Sequence, residues 1–337
     1  MIRMIGLRTL SALPNLIGVL IITFLITRAL PGDPAAFFAG AAGSQEAVEQ
    51  IRAKLGLDKS LVEQFAYYVR DLARGDLGTA LSTGRPVLDE ILGRLPASLE
   101  LTLSALMLAT TIAIPLGVLA ATRPGSWIDH MCRALTTAGV SLPTFFTGLL
   151  LAYIFYYRLG WAPAPIGRLD PYATPPATVT GFYLIDAALA GDLDVFIASA
   201  RQLILPALTM ALFVLAPLAR MTRAAMLGVL SADFVRTARA YGLSRFTVLY
   251  RYAFRNALLP VVTTLGMVFS FLLGSNVLVE KVFAWPGIGS FAIESLMASD
   301  YAPIQGFVLT MGALYVLLNL AIDILYRIVD PRVEVSG

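Results

Sequence analysis

Five arginines, Arg236, Arg239, Arg245, Arg251 and Arg255, crowd into residues 233–260, D-F-V-R-T-A-R-A-Y-G-L-S-R-F-T-V-L-Y-R-Y-A-F-R-N-A-L-L-P, a polar stretch between two strongly apolar runs. A guanidinium is permanently charged and presents its donors as a planar fork, so its chemistry is recognition of a carboxylate, a phosphate or an aromatic face. Placed on a helix, Phe234, Thr237, Ala238 and Tyr241 recur at i, i+3, i+4 and i+7 and form one face, while Arg236 and Arg239 project from the other. Gly242 interrupts that helix with free access to left-handed φ, and Ser244, after Leu243, is placed to cap a second helix running toward Pro260. The pattern predicts a helix, a glycine turn and a second helix, with a partner docked on the first. A solvated basic loop held near anionic lipid headgroups fits the same residues.

Elsewhere the motifs that do covalent or metal chemistry are missing. The only lysines are Lys54, Lys59 and Lys281, and none stands in a G-x-x-x-x-G-K-[ST] phosphate loop, so the chain is not expected to hydrolyse ATP by itself. Neither G-x-S-x-G nor H-E-x-x-H occurs. The single His130 and single Cys132 rule out a histidine-cluster metal site and an internal disulfide; two residues apart, they diverge on a helix and read as ordinary loop residues.

What positions the arginine stretch is a bilayer. With 58% hydrophobic and 14% charged residues and a mean hydropathy of +0.76, the chain carries more apolar surface than 337 soluble residues could bury. Six runs reach the roughly 20 residues that a hydrocarbon core of about 30 Å requires. They lie near residues 9–27, 101–122, 134–157, 202–219, 257–279 and 302–322, and each is free of Asp, Glu, Lys and Arg. The first is expected to be a retained anchor rather than a cleaved secretory signal. The run 179–198 is rejected as a span because Asp186 sits near its middle with Asp192 and Asp194 beyond; it is read as an external amphipathic helix.

Orientation follows from the basic residues. With a cytoplasmic N-terminus, segments 1–8, 123–133, 220–256 and 323–337 hold thirteen Lys or Arg, against four in the outer loops 158–201 and 280–301. Both termini and the arginine stretch are therefore expected inside. The net charge of +3 is a topology signal, not a nucleic-acid patch, and no nucleic acid is expected as a partner.

Segment 28–98 reads as a small external helical domain. Ser44 marks one helix start, Ser60 with Glu63 forms a capping-box pattern at another, and V-L-D-E-I-L is expected as a last short helix leading to Pro96. The Pro-rich 163–176 stretch reads as an extended external linker. The expected organisation is 1–98, first membrane helix plus external domain, and 99–337, a five-helix core with the cytoplasmic loop 220–256. Within the spans, Ser270, Ser275 and Asn276 are small polar residues able to line a translocation path or simply to pack helices.

R-T-A-R-A-Y-G-L-S followed by R-N-A-L-L-P resembles the E-A-A loop of binding-protein-dependent ABC importer permeases, in the form used by the dipeptide/oligopeptide/nickel branch. L-P-G-D-P at 30–34, G-D-L-G at 75–78, S-L-P-T-F-F-T-G-L-L-L at 141–151, R-L-G-W at 158–161, E-K-V-F-A-W-P-G-I-G at 280–289, D-Y at 300–301, Q-G at 305–306 and D-P-R-V at 330–333 extend the resemblance over nearly the whole chain. It implies an all-α membrane protein of the type I importer permease fold, with six transmembrane helices and an external helical insertion after the first. It also implies a second homologous permease, two cytoplasmic ATPases carrying ATP and Mg, an external substrate-binding protein, and a multi-pass place in a bacterial inner membrane. No cofactor is implied on this chain.

By the same resemblance the first helix of the loop is the coupling helix that docks on an ATPase. Arg236, Thr237 and Ala238 take the E-A-A positions, and Gly242 is the family's glycine. Arg236 replaces the glutamate, and the usual I-x-L-P ending reads Tyr252, Ala253, Phe254, Arg255 with the proline deferred to Pro260, so contacts of that glutamate do not carry over. Peptides are the implied cargo, with a nickel complex, glutathione or another small solute as alternatives. A self-contained channel or secondary carrier is the competing class.

Overall fold

The computed structural model describes residues 2–29, 33–39 and 44–329. Residues 30–32 of L-P-G-D-P and the D-P-R-V of 330–333 lie outside them. Among the described residues the chain is all-α, with one isolated bridge between Thr79 and Pro86. In order the helices are α1 (Ile2–Ala29), α2 (Pro34–Ala39), α3 (Gln45–Lys54), α4 (Leu61–Leu72), α5 (Val87–Thr122), α6 (Trp127–Ser141) and α7 (Thr144–Leu151), the last continued by a π-helical turn (Ala152–Arg158). Then come α8 (Tyr183–Ala190), α9 (Leu193–Leu230), α10 (Asp233–Ala240), a π-helical segment (Thr247–Phe254) running into α11 (Arg255–Val282), α12 (Ile288–Met297) and α13 (Tyr301–Val329).

Four of these, α5, α9, the continuous Thr247–Val282 and α13, are long and apolar enough to cross a membrane. The expected 9–27 run falls within α1. The expected 134–157 run is not one helix: it breaks between α6 and α7 at Leu142, which is extended at φ −115° and ψ 142° because the following Pro143 disfavours helical ψ before it.

Two further boundaries differ from expectation. Residues 179–198 are not a single helix, since Gly191 at φ +70° closes α8 and the Asp192 carboxylate accepts from Val195 N–H at 3.0 Å to open α9. Asp186, instead of lying along an amphipathic face, is buried and accepts from the N–H groups of Thr180 and Gly181. The helix expected to end at Pro96 continues through it into α5. A proline in a helix interior forfeits a backbone bond and costs about 3 kcal/mol in isolation. Contacts around the first turns of α5 offset it: Val87 and Ile91 pack with Ala80, Ile288 and Phe291, and Ser98 Oγ accepts from Ile288 N–H at 2.9 Å.

The chain forms two compact units, Met1–Ser98 with Pro286–Val316, and Leu99–Trp285 with Leu317–Gly337. In the first, Ser44 accepts from Ala47 N–H and Ser60 with Glu63 makes a complete capping box, as the local pattern requires. Phe24 of α1 meets Phe65 edge-on at 5.2 Å and stacks on Tyr68 at 5.9 Å, which fixes α4 against α1.

The second unit is built around α9, whose 38 residues pack against α6, α7, α8 and α11. Small residues permit the close crossings: a Cβ at Gly117 would lie 2.7 Å from the Ala219 carbonyl oxygen, and one at Gly139 would lie 2.7 Å from that of Leu212. The Pro-rich 163–176 stretch is not a free linker. Arg168 within it is buried, donates to Glu100 Oε2 of α5 at 2.6 Å and to Gly181 O at 2.8 Å, and lies 3.5 Å over the Tyr183 ring.

Candidate docking site

The arginine stretch folds as helix, glycine turn, helix. Asp233 opens α10, where it is ion-paired with Arg236 one turn on and suits the positive end of the helix dipole, while Arg239 suits the negative end. At the other end the chain closes in a Schellman motif: Leu243 N–H donates to Ala238 O at 3.4 Å and Gly242 N–H donates to Arg239 O at 3.0 Å. That motif needs a left-handed residue after the last helical turn, and Gly242 supplies it at φ +73°. Ser244 then caps the returning helix, its Oγ accepting from Thr247 N–H at 3.2 Å.

The expected face of four divides. Phe234, Thr237 and Tyr241 are exposed, Tyr241 at 81%, but Ala238 is turned inward beside Val235. Those two side chains are the anchor of α10, in a cluster with Val118, Ala121, Met226, Val248, Ala253 and Ala257. The stripe that packs is therefore Val235/Ala238, against residues of α5, α9 and the returning helix. Arg236, Arg239 and Leu243 are also exposed. A concavity of about 600 Å³ beside the turn is lined by Pro124, Leu227, Ser231, Arg239, Leu243 and Arg245, a mixture of apolar and basic residues. Phe246 and Tyr250 stand 4.6 Å apart on the returning helix.

One pair that the sequence did not disclose braces this region. Arg223, near the end of α9, donates to both carboxylate oxygens of Asp129 on α6, at 2.6 and 2.9 Å, and Gly125 N–H donates to Asp129 Oδ2 at 2.9 Å. The Arg223 fork and then the Gly125 amide hold the Asp129 carboxyl down to about 2, although burial opposes them. The signal available in advance was S-x-x-D: Ser126 accepts from Asp129 N–H at a helix start, which marks Asp129 as inside a first turn rather than a loop.

The three residues named for a path are not brought into one cluster. Ser270 and Ser275 donate to carbonyls of their own helix, Gly266 O at 3.1 Å and Leu272 O at 3.3 Å. Asn276 is buried and donates to Thr102 Oγ1 of α5 at 3.2 Å, a helix-to-helix bond.

A family model described as binding-protein-dependent transport system inner membrane component matches residues 113–335, and its N-terminal membrane-component companion matches 1–102. The chain belongs to this family. It is the membrane-spanning permease subunit of an ABC importer, not the ATPase subunit. Among curated proteins the permease is 48% identical over 320 residues to the probable D,D-dipeptide transport system permease protein DdpB of Escherichia coli (strain K12), covering 95% of this chain and 94% of that one. It is 40% identical over 337 residues to the dipeptide transport system permease protein DppB of the same strain, covering 99% and 98%. A solved structure, the inward-facing MetNI methionine ABC transporter, is similar at a TM-score of 0.49 and 17% identity, over 69% of this chain and 93% of that one.

Proposed function

We propose that this permease, paired with a second homologous subunit, moves di- or oligopeptides into the cytoplasm, and that α10 with the Gly242 turn is the element an ATPase subunit grips. The cargo reading is supported by the dipeptide transport named for the relatives. The docking reading rests on one observation: α10 is anchored through the buried Val235 and Ala238, and presents Phe234, Thr237 and Tyr241 outward with Arg236 and Arg239 beside them. A helix tethered by two small side chains and closed by a rigid turn can transmit a push without unfolding. Two cytoplasmic ATPases, carrying ATP and Mg, would supply it, and an external binding protein would deliver solute to the 28–98 domain and the other outer loops. Both termini and loop 220–256 face the cytoplasm on this reading, and the core is 99–337. Ser270, Ser275 and Asn276 remain the candidates for the path.

The test uses two outward-facing side chains, with the fold monitored alongside. Phe234→Ala with Tyr241→Ala should leave insertion and thermal unfolding unchanged while ATPase copurification and binding-protein-stimulated hydrolysis fall at least tenfold. Transport that persists without any co-expressed ATPase would instead establish a self-contained carrier or channel.

A further inference from the structure

Several segments that carried the family resemblance, G-D-L-G at 75–78, D-Y at 300–301 and Q-G at 305–306, play no part in the docking site. In the Met1–Ser98, Pro286–Val316 unit they converge: Gly78, Asp300, Tyr301 and Gln305 line one cavity of about 480 Å³, together with Arg28 and Lys54. That volume is in the range of small-molecule sites. Its walls carry opposite charges.

Asp300 is fully buried. One carboxylate oxygen accepts from Leu81 N–H at 2.7 Å and Ser82 N–H at 3.3 Å, whereas Oδ1 has no partner among the described residues. Arg28, at the end of α1, donates through Nε to Gln64 Oε1 at 2.7 Å and lies between the Phe24 and Tyr301 rings, 4.9 and 4.7 Å from their centroids. Its Nη1 is likewise buried, with no partner among the described residues. Gln305 donates through its amide to Thr27 Oγ1 at 3.0 Å. Lys54 stands exposed at the rim. A buried carboxylate oxygen and a buried guanidinium nitrogen left unmatched in a single unit are costly, and burial does push the Asp300 carboxyl upward. A guest with both charges would relieve both.

We propose that this cavity binds a small zwitterion, its ammonium group at Asp300 and its carboxylate at Arg28 and Lys54. The site shares no residue with the docking helix, and its occupancy does not depend on how the permease is powered. A free dipeptide has the required pair of termini, so L-alanyl-L-alanine serves as the probe.

The experiment is calorimetric titration of the purified full-length permease in detergent, without ATPase or binding protein, using L-alanyl-L-alanine, its N-acetyl form and its C-terminal amide. The free dipeptide should bind saturably at millimolar or lower concentration, and each blocked form at least tenfold more weakly. Asp300→Asn keeps an acceptor for Leu81 and Ser82 N–H and should preserve thermal unfolding while weakening the probe at least tenfold. Lys54→Gln, at the exposed rim, should weaken it a few-fold. Absence of saturable binding by wild type, equal binding of blocked and free probes, or undiminished binding by a folded Asp300→Asn protein would each overturn the site. Because no transport is measured, failure here leaves the ATPase-docking reading standing.

Discussion

Arg223 grips Asp129 with both arms of its guanidinium, Nε to Oδ1 at 2.6 Å and Nη2 to Oδ2 at 2.9 Å, across 94 residues of sequence. The pair ties the start of α6 to the last turns of α9, and α9 leads directly into α10. The brace therefore sets the base from which the docking helix projects.

Asp129→Asn should lower the thermal unfolding of the detergent-solubilised permease. Removing one partner of a fully buried pair costs about 3–5 kcal/mol. Arg223 is 24% exposed and can recover some water, so about 2–4 kcal/mol is expected here. The pH dependence has a definite sign. Asp129 is held below its ordinary 3.8, to about 2, so its contribution is complete above roughly pH 4 and is lost as pH falls through 2. An acid titration in which Asp129→Asn and wild type lose stability in parallel between pH 4 and pH 2 would contradict this account.

The crossing of α5 and α9 supplies a second test. A methyl group at Gly117 would meet the Ala219 carbonyl oxygen and Thr222 Cβ, each at 2.7 Å, and a backbone atom in a packed helix cannot yield. Gly117→Ala should destabilise by about 1–3 kcal/mol through overpacking. Gly228→Ala, later in α9, meets nothing within 4 Å and should be neutral or gain up to about 1 kcal/mol from helix propensity. Comparable unfolding temperatures for the two variants would show that the crossing is not tight.

Glu100 and Arg168 are both buried, at 4% and 7% exposure, and Glu100 Oε1 also accepts from Leu184 N–H at 2.9 Å. Glu100→Gln leaves an uncompensated guanidinium in a buried site, a change costing about 3–5 kcal/mol. Limited proteolysis is the direct readout. Cleavage within 158–182 should accelerate at least tenfold in the variant, while cleavage in 44–72 should not change.

These pairs also mark where the sequence stops being informative. Ser44 and Ser60 cap helices through partners three residues away, so their signals are local and readable. Asp129 with Arg223, and Glu100 with Arg168, join residues 94 and 68 apart, and composition holds no trace of such partners. Prolines show the same divide. Pro206, Pro217 and Pro260 lie inside continuous helices, whereas Pro143 ends one, because the outcome depends on whether neighbours hold the flanking turns. In α10, periodicity located the amphipathic helix but grouped Ala238 with the aromatics; the tertiary packing of α5, α9 and the returning helix decides that Ala238 faces inward.

Orientation can be checked with two thiols. Ser44 and Ser244 are exposed, and Cys132 is 1% exposed, so a Cys132→Ser background removes a thiol that is already shielded. Ser44→Cys in intact cells should react with an impermeant maleimide, and Ser244→Cys only after permeabilisation. Reaction of both from outside would reject the inside placement of loop 220–256.

The glycine turn gives the sharpest separation of docking from lipid contact. Gly242 sits at φ +73° with nothing within 4 Å of an added Cβ, so a substitution there is opposed by backbone strain and not by collision. A β-branched residue in the left-handed region is strongly disfavoured, by about 1–2 kcal/mol or more, whereas asparagine tolerates it far better. Gly242→Val should therefore open the Schellman bonds from Leu243 and Gly242, shift Tyr241, and leave the anchor through Val235 in place. Insertion and expression should stay normal while ATPase copurification and transport drop severalfold, and Gly242→Asn should retain most of both. The charge of the stretch is identical in all three proteins, so contact with anionic lipid would be the same. Full transport by the Gly242→Val protein, with a normal complement of ATPase, would show that the turn does not transmit force.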